Sequence, residues 1–462
     1  MPPDVPSQGV TPQIPQGNVS GIRQSTSRTP ARQAIHQIDI SEDAEGHEQA
    51  FKLQLPFALG AGNMYRDAFL SVVQERCQIG TSEESSPADT RCAVRVGICC
   101  TGWVTTICIE AQSANNQILT DVLLSFGLSI LSKSKQDESL QKEGLKLRER
   151  GLRNLREAIQ KYVKAGEKNT DANMLAMTML ASAMAEILVN KSWETYNVHL
   201  KGVGALIEFA GPSALVTPVA RDNFYGYRVI QTIFDFIHRK GSFFARPEWT
   251  DFPWKRQHPL AMNVLHMLTD IAVGIPVEME LFDSRTTHSQ QDLETQLRKL
   301  LDLKLQLDDW ESELSKASPS PIYTTTTVTV PNPLSKEMAF HNLGIANAFT
   351  FYTGVRVALL SLILQVTHAS QSNIEQQKPK STEFVDQVLE WSVVACQCIN
   401  YFTNIERNTI GKLVCLFPLD MIWLAFWNLK TGFGIESRSH IVWCQQVADK
   451  FSRMGLPALR IR

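Results

Sequence analysis

The sequence predicts an all-α protein, a large multi-helix assembly, on three observations. Apolar residues recur at helical spacing from about Phe51 to the end of the chain. The intervals between these stretches are short and polar or rich in Pro and Gly. A single β-branched run, Thr324–Val330, reads as extended, and its isolation marks it as a loop segment rather than part of a sheet.

Taken in order, residues 1–50 are rich in Pro, Gln, Ser and Thr and end in an acidic run, Asp39–Glu45. Such a stretch cannot bury enough apolar surface to offset its chain entropy, so a disordered tail is expected. The helical part then covers 51–462. Leu145, Leu152, Leu155, Ile159 and Tyr162 form one apolar face, and Met174, Met177, Leu180, Met184 and Leu188 form the next. Leu293–Leu314 is a long charged helix with leucines at helical spacing, and Val385, Leu389, Val393, Cys396 and Ile399 mark another. Breaks fall near 79–91, 167–171, 211–220, 317–335 and 369–382.

Composition bounds what such an assembly can do. With 462 residues, 44% of them hydrophobic, the chain can fill one large core or two. A net charge of −2 provides no global attraction for nucleic acid. The Lys142–Lys164 stretch is the most basic, but Glu143, Glu149 and Glu157 interleave with its cations as on an ordinary exposed helix. The first ten residues have no apolar export signal, and Val357–Val366 and Leu413–Trp427 read as too short to span a membrane. The nine cysteines, at 77, 92, 99, 100, 108, 396, 398, 415 and 444, form no framework and read as buried reduced thiols.

Four segments carry more specific information. Trp193–Pro212 places Tyr196, Leu200, Val203, Ile207 and Ala210 on one helix face, with Gly211 and Pro212 as the stop. Gly202 and Gly204 inside it predict close approach of a neighbouring helix, and His199 reads as a hydrogen-bonding packing residue, not a metal ligand. Ser242–Leu260 is an aromatic loop containing Phe243, Phe244, Trp249, Phe252 and Trp254. Gly411–Trp427 is very apolar, and its Pro418 is expected to kink or restart the helix. Ile441–Leu456 closes the chain with Trp443, Val447, Phe451 and Met454 on one side.

Together these segments resemble the fungal-specific transcription factor domain, the helical regulatory region that follows a fungal binuclear zinc cluster. The matching features are W–x5–HL–x–G–x–GA–LI–x3–GP from Trp193 to Pro212, FF–x2–P–x–W–x3–PW from Phe243 to Trp254, and FPL–x–x–IW from Phe417 to Trp423. The terminal MGLPALRIR adds a fourth. The resemblance implies an all-α, multi-helix regulatory domain in a nuclear transcription regulator, with control of a secondary-metabolite gene cluster as the expected role. It implies partnership with other transcription regulators or a second copy; the short apolar stretches separately lead to the expectation of no membrane. Trp193, His199, Phe244, Trp249 and Trp254 are the candidate effector or partner contacts.

The chain also departs from that family. Residues 1–76 hold no cysteine, and the cluster Cys92, Cys99, Cys100, Cys108 has no CxxC pair for a compact zinc site. The expectation is therefore a regulator or coregulator that reaches DNA indirectly, or through an N-terminal module not present in this sequence. The alternatives are a small-molecule-sensing helical module and a divergent helical enzyme. For the enzyme, Asp308-Asp309-Trp310-Glu311-Ser312 approaches an aspartate-rich magnesium motif but has Ser where a third carboxylate belongs, and no partner motif exists. Asp302, Asp308, Asp309, Glu311 and Glu313 are expected to form a solvated helix face. No phosphate loop, nucleophile elbow or H-E-x-x-H is present. No catalytic residue, cofactor or metal is expected.

Overall fold

In a computed structural model, the described residues are Ile107, Glu110, Ala111 and 116–453, with breaks at 166–171, 191, 252–263, 286–288, 318–320, 328–333, 335, 341–342, 372–378 and 405–408. The expected N-terminal tail, the first five cysteines, Phe252, Trp254 and Met454 lie outside them.

Almost every described element is a helix. The first group comprises α1 (Gln117–Lys135), α2 (Glu138–Ala165), α3 (Ala172–Ala185), α4 (Trp193–Ala210) and α5 (Pro218–His238). A short helix α6 (Pro247–Thr250) follows, then α7 (Val264–Ala272), α8 (Gly274–Ser284) and α9 (Gln290–Ala317). A hairpin of β1 (Tyr323–Thr327) and β2 (Lys336–Phe340) precedes α10 (Leu343–Gln371), α11 (Pro379–Asn404), α12 (Thr409–Phe433) and α13 (Arg438–Arg453).

The buried apolar residues fall into two cores. One is built from α1–α5 with Phe244 and Trp249, the other from α7–α13 and the hairpin. Helix α5 belongs to both: Phe224, Tyr227 and Phe234 face the first core, while Val229 and Phe236 face the second. A helix apolar on two sides must be sandwiched to keep both sides from water.

In the first core, α4 follows the sequence reading closely. The Ser192 hydroxyl accepts from the Thr195 N–H (3.3 Å) to start the helix. Tyr196, Leu200, Val203 and Ile207 are buried, and Gly211 ends the helix at φ 76°. The close neighbour is α5, and it is Gly204 that admits it: a Cβ there would lie 2.5 Å from the Tyr227 hydroxyl. That hydroxyl donates to the Leu200 carbonyl (3.0 Å), locking the two helices together.

Helix α2 corrects its sequence reading at one end. Leu155, Ile159 and Tyr162 are buried, but Leu145 is 53% exposed. The buried face there is carried by Gly144 and Gly151, where a Cβ would stand 3.3 Å from Leu128 and 3.1 Å from Val122 of α1. The helices approach too closely for a large side chain, so the leucine turns outward.

In the second core, α10 is the central strut. It and α12 are long and apolar enough to cross a membrane by length and composition, which corrects the reading of both as too short. The apolar window of α10, within Gly344–Ser370, is 89% buried inside the fold, and that of α12, within Leu413–Phe433, 61%. Pro418 does not restart α12, which runs unbroken from Thr409 to Phe433. Beside it, a Cβ on Gly354 of α10 would lie 2.7 Å from the Phe417 ring and 3.0 Å from the Pro418 Cα.

Two further expectations are corrected. The Thr run is not an isolated loop: β1 pairs antiparallel with β2, Thr325 opposite Met338 and Tyr323 opposite Phe340. Met338 and Phe340 bury themselves in the second core and hold the hairpin there. The acidic face of α9 is not uniformly solvated. Asp308 (2.6 Å) and Glu311 (3.6 Å) pair with the buried Arg356 guanidinium of α10, which lies 4.3 Å over the Trp391 ring. Asp302, Asp309 and Glu313 are exposed to solvent.

Candidate functional site, the cleft between the two cores

Where α5 and the start of α12 meet, side chains of the two cores do not close completely. A cleft of about 120 Å³ remains, walled by Met184, Ile187, Trp193 and Tyr196 on one side and by Leu413, Val414, Leu416 and Phe417 on the other. Gly226, Val229, Ile230, Ile233 and Phe234 of α5 form its floor.

Local structure explains how the first wall is placed. After α3, the chain makes one wide π-helical turn, Glu186–Asn190, before α4 begins at Trp193. The Ser192 N–H donates back to the Glu186 carbonyl (3.1 Å) across it. Such a turn inserts an extra residue and rotates the chain beyond it, and in proteins it concentrates at functional sites. Here it sets Ile187 and Trp193 on the cleft. The Trp193 ring stacks on Phe234 of α5 (5.5 Å between centroids, 18° between planes) and leans on Tyr196 (5.1 Å). Burial pushes the Tyr196 phenol well above its ordinary value, so the ring stays neutral.

The structure separates the residues singled out from sequence. Trp193 lines the cleft. His199 is not on it: the imidazole is buried near Glu186 and Arg148, and its Nδ1 has no hydrogen-bond partner among the described residues. Desolvation is the main cause holding its pKa below the usual value; Arg148 acts in the same direction and Glu186 against them. The expected hydrogen bond is thus missing at that nitrogen, and His199 packs as a neutral ring. Glu186 meanwhile pairs with Arg148 and accepts from the Asn190 amide (2.8 Å), tying the wide turn to α2.

Phe244 and Trp249 form an aromatic plug under α5. Phe244 meets Phe224 edge to face (5.5 Å), and Trp249 stacks on Phe224 (5.9 Å). Both are almost wholly buried, so they close the first core and do not present a surface. Trp254 lies outside the described residues.

Sequence reasoning missed the α12 wall. One signal was present: Leu413, Val414, Leu416 and Phe417 are apolar on every side of a helix start, a pattern that requires neighbours on both sides. Among the described residues the lining of the cleft carries no charged side chain. Among the described residues no group of three or more His, Cys, Asp or Glu is placed to hold a metal ion. The four described cysteines are free and buried, and burial pushes the Cys398 thiol up to about 12.

The model of the fungal specific transcription factor domain matches residues 101–400. The chain belongs to this family. The match includes Trp193 and the whole of α5, so the first wall and the floor of the cleft lie within the regulatory domain proper, while the α12 wall lies beyond it. No curated protein and no solved structure matched the chain. The domain is the regulatory part of transcription factors, which places this all-α chain among transcription regulators.

Proposed function

We propose that the protein is a nuclear transcription coregulator, acting through another DNA-bound protein and controlling a limited set of genes, with a biosynthetic cluster as the expected target. The family match over residues 101–400 carries the regulatory part of this reading. The indirect contact with DNA is supported by charge. The chain is nearly neutral, and cations of its most basic helix are engaged: Arg150 with Asp121 (2.7 Å), Arg148 with Glu186 and Lys146 with Glu143 (3.3 Å). Phosphate neutralisation requires free cations gathered on one face, and a helix whose cations already have carboxylate partners offers fewer of them.

The test is a binding titration of the purified chain against short genomic fragments over a range of salt. The expected result is weak binding without sequence preference, lost as salt rises. Tight binding to one site that persists at physiological salt would overturn the indirect reading and leave the regulatory one standing.

A further inference from the structure

We propose that the cleft between the two cores is a binding site for a small, uncharged, apolar molecule, most simply a planar aromatic one. Four observations on this structure converge on it. The cleft, about 120 Å³, has the scale of cavities that admit a benzene-sized guest. Four of its thirteen lining residues are aromatic, Trp193, Tyr196, Phe234 and Phe417, and an aromatic lining favours a flat aromatic partner.

Among the described residues its lining holds no charged group, so an anion or cation entering it would lose its hydration without replacement from them. Its mouth is apolar too: Met184, Trp193, Ile230, Ile233, Leu413 and Val414 are all only half-buried. An unfilled cavity between packed helices lowers stability in proportion to its volume, and a joint needed only for packing would be closed by larger side chains. The wide turn at Glu186–Asn190 is what holds Ile187 and Trp193 at this opening.

A guest there touches α4, α5 and α12 together and so tightens the joint between the two cores. Binding does not depend on the coregulator reading, and it is measured on the purified full-length protein, so the two fail separately. The probes are p-xylene and its carboxylate counterpart p-toluate. The unfolding temperature should rise by about 2 °C with p-xylene near saturation, and stay unchanged with p-toluate. Ile230→Phe and Val414→Phe, which fill the space from opposite sides, should each abolish the shift.

A second readout protects against a variant that does not fold. The change in tryptophan emission on adding p-xylene should be present in the wild type and absent in Trp193→Phe. No thermal shift in the wild type, an equal shift with p-toluate, an equal shift in a folded filled variant, or an emission change that survives in Trp193→Phe would each overturn the proposal.

Discussion

Phe417→Ala is expected to lower stability by about 3–5 kcal/mol, the range for deleting a fully buried aromatic ring. The side chain is inaccessible to solvent and joins three parts of the fold. It lies 5.1 Å from Phe236 on α5 and 5.3 Å from Phe351 on α10, and it lines the cleft. Phe236 rides on the helix shared by both cores, so the loss should reach beyond the second core. Urea denaturation followed by circular dichroism checks this: the midpoint falls while the slope is unchanged if the chain still unfolds as one body. A loss under about 1 kcal/mol, small for any buried ring, would mean that the joint between the cores is not held by this one.

The second large effect is expected at the helix crossing on the same ring. Gly354→Ala places a Cβ 2.7 Å from the Phe417 ring and 3.0 Å from the Pro418 backbone. A ring edge can tilt away, but the backbone of a buried helix cannot, so α10 and α12 must separate. The expected cost is about 2–3 kcal/mol, against a gain of about 1 kcal/mol from the better helix former. When Gly354→Ala is combined with Phe417→Ala, the truncated side chain leaves room for part of the new methyl, and the combined loss should be smaller than the sum of the two. Strict additivity would show that the two side chains do not compete for the same space.

These two residues also show what was legible in the sequence and what was not. Helix α4 was readable because its signals are local: an apolar face, four of whose residues are buried, and a glycine and proline past the end. The face of α2 was readable only from Leu155 onward, since at its start close contact with α1 selects Gly144 and Gly151 and turns Leu145 out. Strand β2, Lys-Glu-Met-Ala-Phe, has little intrinsic preference for a strand, and only its pairing with β1 and the burial of Met338 and Phe340 make it one.

The candidate site was half legible for the same reason. Trp193 was named as a candidate contact, but the cleft exists because α12, far later in the chain, comes back across α5, which periodicity does not encode. The aromatic loop misled in the other direction. Phe244 and Trp249 look like a binding surface in sequence, yet they are spent on closing the first core around Phe224. Asp308 and Glu311 were read as surface because their partner, Arg356, lies on another helix.

On the proposed reading the chain regulates transcription, with helices that pack into two cores and dock on another regulator. The most direct measurement is a transcript profile of cells lacking the gene, compared with cells in which it has been restored. A change confined to a small set of genes, reversed on restoration, is the predicted result. Profiles that do not differ would contradict that claim.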